Sequence, residues 1–107
     1  MDKQTFPPTI IRALAETDVE TLERWLTKND IDWQDGMGYT LLMHACQNKT
    51  YDSGRWLVEQ GADITLKMKR GYDALNLTYF AGEIAMGAYP KETLDFAALL
   101  KARLKEG

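Results

Sequence analysis

The chain has 107 residues, of which 45% are hydrophobic and 27% are charged, and its formal net charge is −3. This length fits one domain with a single core, and three Trp, five Tyr and three Phe exclude a disordered polar chain. No apolar run reaches the roughly 18 residues of a membrane span, and the single Cys46 excludes an internal disulfide. We therefore expect a cytoplasmic protein that does not bind membranes.

The charges are unevenly distributed along the chain. The first 35 residues hold eight acids and four bases, whereas residues 49–70 hold five bases and three acids. This basic footprint is too small for a duplex DNA binder, so we expect no nucleic-acid partner. The acidic first third favours a basic partner or is simply solvated, and a small basic tip at residues 67–70 either contacts an acidic partner or is solvated.

The first predicted unit, residues 6–35, has the pattern of two short helices. Residues 10–14 provide an apolar helical face that follows Pro7 and Pro8. Residues 17–20 match a capping box that would place Thr17 at the start of the second helix. That helix then carries Leu22, Trp25 and Leu26 at helical spacing.

The second predicted unit, residues 36–68, has clearer signals for turns and helix boundaries. Gly38 suits a turn with positive φ, and Thr40 suits the N-cap of a helix that runs to about residue 48. A second helix is predicted over residues 52–60, and Gly61 suits the left-handed residue that follows it.

The third predicted unit, residues 69–105, repeats this plan 33 residues later. Gly71 matches Gly38 and Asp73 matches Thr40, and the last helix is predicted over residues 92–105. An insertion at about residues 82–91 separates the helices of this unit, and Pro90 predicts that it is a loop. A period of this length is typical of stacked helical units that cannot bury their apolar faces alone.

Two segments of this sequence resemble ankyrin repeats. The chain reads Gly38-Tyr39-Thr40-Leu41-Leu42-Met43-His44-Ala45 and then Leu57-Val58-Glu59-Gln60-Gly61-Ala62-Asp63-Ile64. The family's unit opens Gly-x-Thr-Pro-Leu-His-x-Ala and closes Leu-Leu-x-x-Gly-Ala-Asp-Val. The resemblance covers roughly residues 6–105 and is strongest over 35–77.

The resemblance implies an all-α ankyrin-repeat solenoid of helix-turn-helix units with hairpin-like finger loops. This chain departs from the family at Leu41 and Ala74, which replace its Pro, and at Gly54, which replaces a core aliphatic residue. We expect Gly54 to weaken its helix by about 0.5–1 kcal/mol relative to Ala unless a large neighbour, such as Trp25, fills the space.

By resemblance, the binding surface combines the finger loops with the exposed side of each first helix. Trp33 is added because it lies in a finger, where core packing is less available. The composition of the whole set suits recognition, since Met, Tyr and Arg are enriched at protein interfaces. The predicted partner-binding residues are Trp33, Gly36, Met37, Tyr39, Gln47, Asn48, Lys69, Arg70, Tyr72 and Phe80.

No residue pattern assembles a catalytic or metal site. His44 is the only histidine, and we expect it to form structural hydrogen bonds, as we expect Cys46 to be buried and inert. Asp30, Asp32 and Asp35 lack the spacing of a calcium loop, and Gly82 and Gly87 lack the Lys and Ser/Thr of a phosphate loop. We predict no enzyme, cofactor or metal.

The expected function is therefore binding to a protein partner. One specific version is a bacterial immunity or antitoxin protein that occludes the active site of a toxin or effector domain. A regulatory adaptor that bridges two proteins is an alternative, and a small enzyme with a site under the 82–91 insertion is a remote one. We expect a stack of only three units to be a monomer or a weak homo-oligomer.

Overall fold

The computed structural model describes residues 5–106, which form six α-helices and no β-strand. The helices are α1 (Pro8–Glu16), α2 (Val19–Leu26), α3 (Leu41–Gln47), α4 (Tyr51–Glu59), α5 (Ala74–Gly82) and α6 (Lys91–Glu106). The all-helical fold class is thus confirmed. None of these six helices is both long and apolar enough to cross a bilayer.

The helices form three successive hairpins: α1 packs against α2, α3 against α4, and α5 against α6. Between hairpins, α3 contacts both α1 and α5, and α4 contacts α6. One hydrophobic cluster continues through all three hairpins, with Leu14 and Leu22 from the first, Leu42 and Leu57 from the second and Phe96 from the third. Each hairpin therefore completes the core of its neighbour.

Two helix starts confirm the sequence predictions. The Thr40 hydroxyl accepts a hydrogen bond from Met43 N–H at 3.1 Å. At the equivalent position Asp73 accepts one from Asn76 N–H at 2.9 Å, and the Asn76 side chain accepts the Asp73 N–H at 3.1 Å. These bonds satisfy amide groups that have no partner inside their helices.

The predicted role of Thr17 is wrong. Thr17 has φ 53° and closes the end of α1, with its N–H donating to Leu14 O at 3.3 Å. The N-cap of α2 is Asp18, whose carboxylate accepts Thr21 N–H at 3.2 Å. The reason is that the chain reverses between α1 and α2 within two residues, so the residue just before the cap takes the left-handed conformation. Lys49, with φ 60°, takes the same conformation after α3.

The space beside Gly54 is filled by Phe96 from α6 and not by Trp25. A Cβ on Gly54 would lie 2.7 Å from Cζ of Phe96, so the absence of a side chain lets α6 approach α4. Ser53, next to Gly54 and also buried, donates a hydrogen bond to Leu14 O at 2.6 Å. These two small residues let α4 meet α6 and the end of α1.

The predicted insertion is a short closed turn outside the core. Ile84 N–H donates to Ala88 O, and Ala88 N–H donates to Ala85 O, both at 2.9 Å. Gly87 N–H donates to the Glu83 carboxylate at 2.8 Å. The following helix still buries Phe96 and Leu100, so the insertion leaves the packing of the third hairpin intact.

Candidate functional site

Two loops of matching conformation precede α3 and α5. We call residues 30–39 the first finger and residues 63–72 the second finger. Gly38 and Gly71 have φ of 88° and 90°. The N–H of Gly38 donates to Asp35 O, and that of Gly71 donates to Met68 O, each at 2.8 Å. The 33-residue sequence repeat is therefore a repeat of backbone geometry as well.

The two fingers are hydrogen-bonded to each other along their length. Lys69 N–H donates to Met37 O at 3.0 Å, and Asp63 N–H donates to the Asp32 carboxylate at 2.8 Å. The Gln34 amide donates to Lys67 O at 3.0 Å and to Gly38 O at 2.8 Å. Three of these bonds join the two fingers, and the fourth, from Gln34 to Gly38 O, holds the Gln34 side chain within the first finger.

Gly38 is required where the fingers meet. Besides its positive φ, a Cβ at Gly38 would lie 2.8 Å from Lys69 N and 2.9 Å from Cα of Met68. At Gly71, by contrast, a Cβ would meet no atom within 4 Å. The second finger thus covers the first, while its own outer side is open.

The first finger is anchored to the core through Asp35. Its carboxylate accepts the N–H groups of Met37 and Tyr39 at 3.0 and 2.9 Å, and it is bonded to Nε2 of His44 at 2.9 Å. The His44 ring stacks on Tyr39, with centroids 4.9 Å apart, and lies edge-on to Phe6. His44 thus has the structural hydrogen-bonding role that the sequence predicted.

Seven of the ten predicted partner-binding residues are exposed: Met37, Gln47, Asn48, Lys69, Arg70, Tyr72 and Phe80. Trp33, Gly36 and Tyr39 are half-buried. Trp33 lies edge-on to the Phe6 ring with centroids 4.9 Å apart, so much of its indole packs within the protein. Gln47 and Asn48 lie at the far end of α3, about 10 Å along the helix axis from the first finger.

The structure brings together an aromatic pair at the base of the second finger. The Tyr72 and Phe80 rings meet edge to face with centroids 4.8 Å apart, and they are 39% and 55% exposed. Met37, at the tip of the first finger, is 53% exposed. Large apolar side chains fixed at a surface with this exposure are typical of protein contact sites.

Sequence reasoning missed one residue that links the fingers and two exposed apolar residues of the insertion. Gln34 links the fingers across 33 residues, and no local pattern signals such a bond. Ile84 and Met86, in the insertion, are 71% and 96% exposed. Their only sequence signal was the insertion itself, since apolar residues in a short loop are usually covered.

The described residues offer little reactive chemistry. Burial raises the pKa of the Cys46 thiol to about 12, so the sulfur is not a thiolate at neutral pH. The Ser53 hydroxyl is occupied by Leu14 O. Within residues 5–106 no three His, Cys, Asp or Glu side chains are grouped to hold a metal ion.

No protein-family model matches the chain, and no curated protein sequence matches it. The geometry of the fingers and of α5 is therefore the basis for a functional assignment.

Proposed function

We propose that this chain is a small ankyrin-type module of three helical-hairpin units that binds a protein partner without catalysing a reaction. The observation that carries the proposal is the matching conformation of the two fingers, which are hydrogen-bonded edge to edge by Lys69 N–H and Met37 O. A repeat of loop, cap and helix at 33 residues also accords with the ankyrin-like phrases in residues 38–45 and 57–64.

The proposed contact surface is the outer side of the fingers together with the exposed Phe80 of α5. It offers Met37, Tyr72 and Phe80 as apolar anchors, with Lys69 and Arg70 beside them. The hydrogen bonds that fix the two fingers reduce the conformational entropy that would be lost on binding. A rigid surface with few large anchors is the arrangement that interface energetics favour.

The specific version that we propose is an immunity or antitoxin protein. Such a protein works in the cytosol by stoichiometric occlusion of a toxin or effector domain and needs no cofactor. This step is a family-level analogy and is argued from the rigid exposed surface of the module. A monomer presenting one such surface suffices for this role, and a weak homo-oligomer is compatible with it.

A photo-crosslinking residue placed at Tyr72 tests the proposal in cells of the source organism. The matched control is the same residue at Glu59, which is exposed on α4, outside the fingers. We expect an adduct with one host protein from position 72 and none from position 59. Adducts of equal yield from both positions, or from neither, would reject the contact surface.

Purified variants then give the energetics of that contact. Phe80→Ser with Arg70→Ala should weaken binding to the captured protein by about 2 kcal/mol or more, while the melting temperature stays within a few degrees of wild type. Tyr39→Ala is a poorer probe, because Tyr39 is half-buried against His44. The toxin version fails if the product of a neighbouring toxin-like reading frame is neither bound nor neutralised.

The exposed apolar side chains of the insertion favour a regulatory adaptor as a second candidate. Ile84 and Met86 lie in a turn that is closed by hydrogen bonds, separate from the fingers in sequence. Ile84→Ser with Met86→Ser should then abolish binding to one partner and preserve binding to another. If this double variant retains every interaction of the wild type, the adaptor has no support.

A further inference from the structure

We propose that the partner presents carboxylates next to apolar side chains, and that the basic second finger receives those carboxylates. This inference rests on the proposed function, since it names the chemistry of the protein that the same surface binds. Of the alternatives that the sequence left open, it takes the one in which the basic tip at residues 67–70 contacts an acidic partner, and not the one in which the acidic first third binds a basic partner.

The acids of the fingers are occupied by the protein's own polar groups. The Asp30 carboxylate accepts Asp32 N–H at 2.8 Å, and that of Asp32 accepts Asp63 N–H. The Asp35 carboxylate accepts two backbone N–H groups and is bonded to His44. The Asp63 carboxylate accepts the N–H and the hydroxyl of Thr65. Each of these carboxylates is therefore engaged by hydrogen-bond donors within the protein and supports the fold of the fingers.

Within residues 5–106, the cations of the second finger have no such internal partners. Lys67, Lys69 and Arg70 are exposed, and none of their side chains forms an ion pair or hydrogen bond with another residue in the described part of the chain. Four of the seven Lys and Arg side chains on the helices form ion pairs with acids one turn away, namely Arg24, Arg55, Lys91 and Arg103. Three unengaged cations within four residues make the second finger the locally positive part of an acidic protein.

An apolar anchor adjoins these cations on the open side of the second finger. Tyr72 follows Arg70 by two residues, and its ring contacts Phe80. The space beside Gly71 is empty to at least 4 Å, whereas the equivalent space at Gly38 is filled by the second finger. A partner that approaches this side meets guanidinium and ammonium groups suited to carboxylates, and two aromatic faces suited to apolar side chains.

A single-stranded nucleic acid is the other polymer that combines negative charge with flat apolar groups. We favour a protein because the chain is acidic overall, with a net charge of −3, and because three cations in one loop cannot follow an extended phosphate backbone. The nucleic acid becomes one outcome of the test.

The test uses the whole chain and a displayed library of random 12-residue peptides, with a fluorescent single-stranded oligothymidine as a second probe. The test variant is Lys69→Gln with Arg70→Gln. The matched control is Arg12→Gln with Lys105→Gln, which changes net charge equally on exposed positions of α1 and α6. Phe80→Ser separates the apolar contribution from the electrostatic one.

We expect the wild type to enrich peptides in which Asp or Glu neighbours Leu, Ile, Phe or Trp. Affinity for an enriched peptide should fall about 5- to 10-fold in the test variant at low salt, and hardly at all in the control. Raising the salt should remove most of the difference between wild type and test variant. Phe80→Ser should weaken binding at every salt concentration.

Enrichment without an excess of acidic residues, or no enrichment over the test variant, would overturn the inference. Tighter binding of oligothymidine than of any peptide, lost in the test variant, would assign the surface to nucleic acid instead. If crosslinking at Tyr72 captures a host protein whose binding ignores both salt and the test variant, the protein-binding function stands and only the acidic chemistry fails.

Discussion

The close approach of Phe96 to Gly54 leads to a prediction whose sign opposes helix propensity. On propensity alone, Gly54→Ala within α4 should stabilise the protein by about 1 kcal/mol. A Cβ at this position would, however, lie 2.7 Å from Cζ and 2.9 Å from Cε1 of Phe96. Overpacking of this kind costs about 1–3 kcal/mol. We therefore expect Gly54→Ala to lower the free energy of unfolding by about 1 kcal/mol, which for a domain of this size corresponds to a fall in Tm of about 4–8 °C.

The clash dominates only if the Phe96 ring cannot move aside. The ring is fully buried and lies against Tyr51, with centroids 5.2 Å apart. The Tyr51 hydroxyl is in turn hydrogen-bonded to that of Thr93 at 2.7 Å, on the same helix as Phe96. Displacing the ring would therefore disturb both the core and the contact of α4 with α6.

Urea unfolding of four proteins measures the effect: wild type, Gly54→Ala, Phe96→Leu and the double variant. Leu is shorter than Phe and ends before the ring tip, so Gly54→Ala should be neutral or stabilising in the Phe96→Leu background. The coupling free energy between the two positions should be about 1–2 kcal/mol. Glu59→Ala, at an exposed position of α4, should change stability by less than about 0.5 kcal/mol.

The reasoning would be refuted by a Gly54→Ala protein that is more stable than wild type by about 1 kcal/mol. That result would mean that the ring shifts without cost and that only helix propensity counts at this position. Equal effects of Gly54→Ala in both backgrounds would also refute it, because the two positions would then be independent.

Three further outcomes follow from the backbone and from the titrating groups. Because Lys49 has φ 60°, Lys49→Gly should raise the free energy of unfolding by about 0.5–1 kcal/mol in urea, and a loss of stability would show that the lysine side chain outweighs the strain. The hydroxyl and N–H of Thr65 hold the pKa of Asp63 below its ordinary 3.8, so its contribution to stability is complete above pH 3.8 and is lost as pH falls through the lower folded value. Asp63→Asn does not titrate, so its melting temperature should decline less steeply in acid than that of wild type, and parallel declines would contradict this. Cys46 should resist alkylation at pH 8 in the folded protein and react fully in denaturant, as mass spectrometry can show; rapid labelling of the folded protein would contradict its burial.

The elements that the sequence predicted well depend on short-range chemistry. Thr40 and Asp73 are N-caps because a hydroxyl or carboxylate reaches an amide three residues on, which the local sequence alone determines. Gly61 has φ 96°, as its place after a helix predicted. The same reasoning failed at Thr17, where two adjacent residues could both serve as a cap and the direction of the chain decided for Asp18.

The features that could not be predicted depend on contacts between distant residues. From the sequence alone, Gly54 is predicted only to weaken its helix. The structure shows that Phe96, 42 residues away, packs against it. Gln34 reads as a surface residue until the second finger supplies Lys67 O as its acceptor. Asp32 is predicted to be a surface charge until the Asp63 N–H, 31 residues away, is placed beside its carboxylate. At each position, long-range packing outweighs the local preference, as is usual for residues at contacts between elements.

The third hairpin has a longer connection between its helices than the first two and still keeps its core. In the first two hairpins, a single left-handed residue, Thr17 or Lys49, lets the chain reverse between the two helices. In the third hairpin, a longer turn at residues 83–90 connects the two helices instead of a single left-handed residue. This turn is closed by its own hydrogen bonds. The α5–α6 contact starts immediately beyond it, where the side chain of Thr93 fills the space beside Gly82. Because the turn is closed and the helix contact resumes at once, the inserted residues lie outside the core. Their side chains are then free of packing constraints, and the adaptor that we propose as a second candidate would use the exposed Ile84 and Met86 for binding.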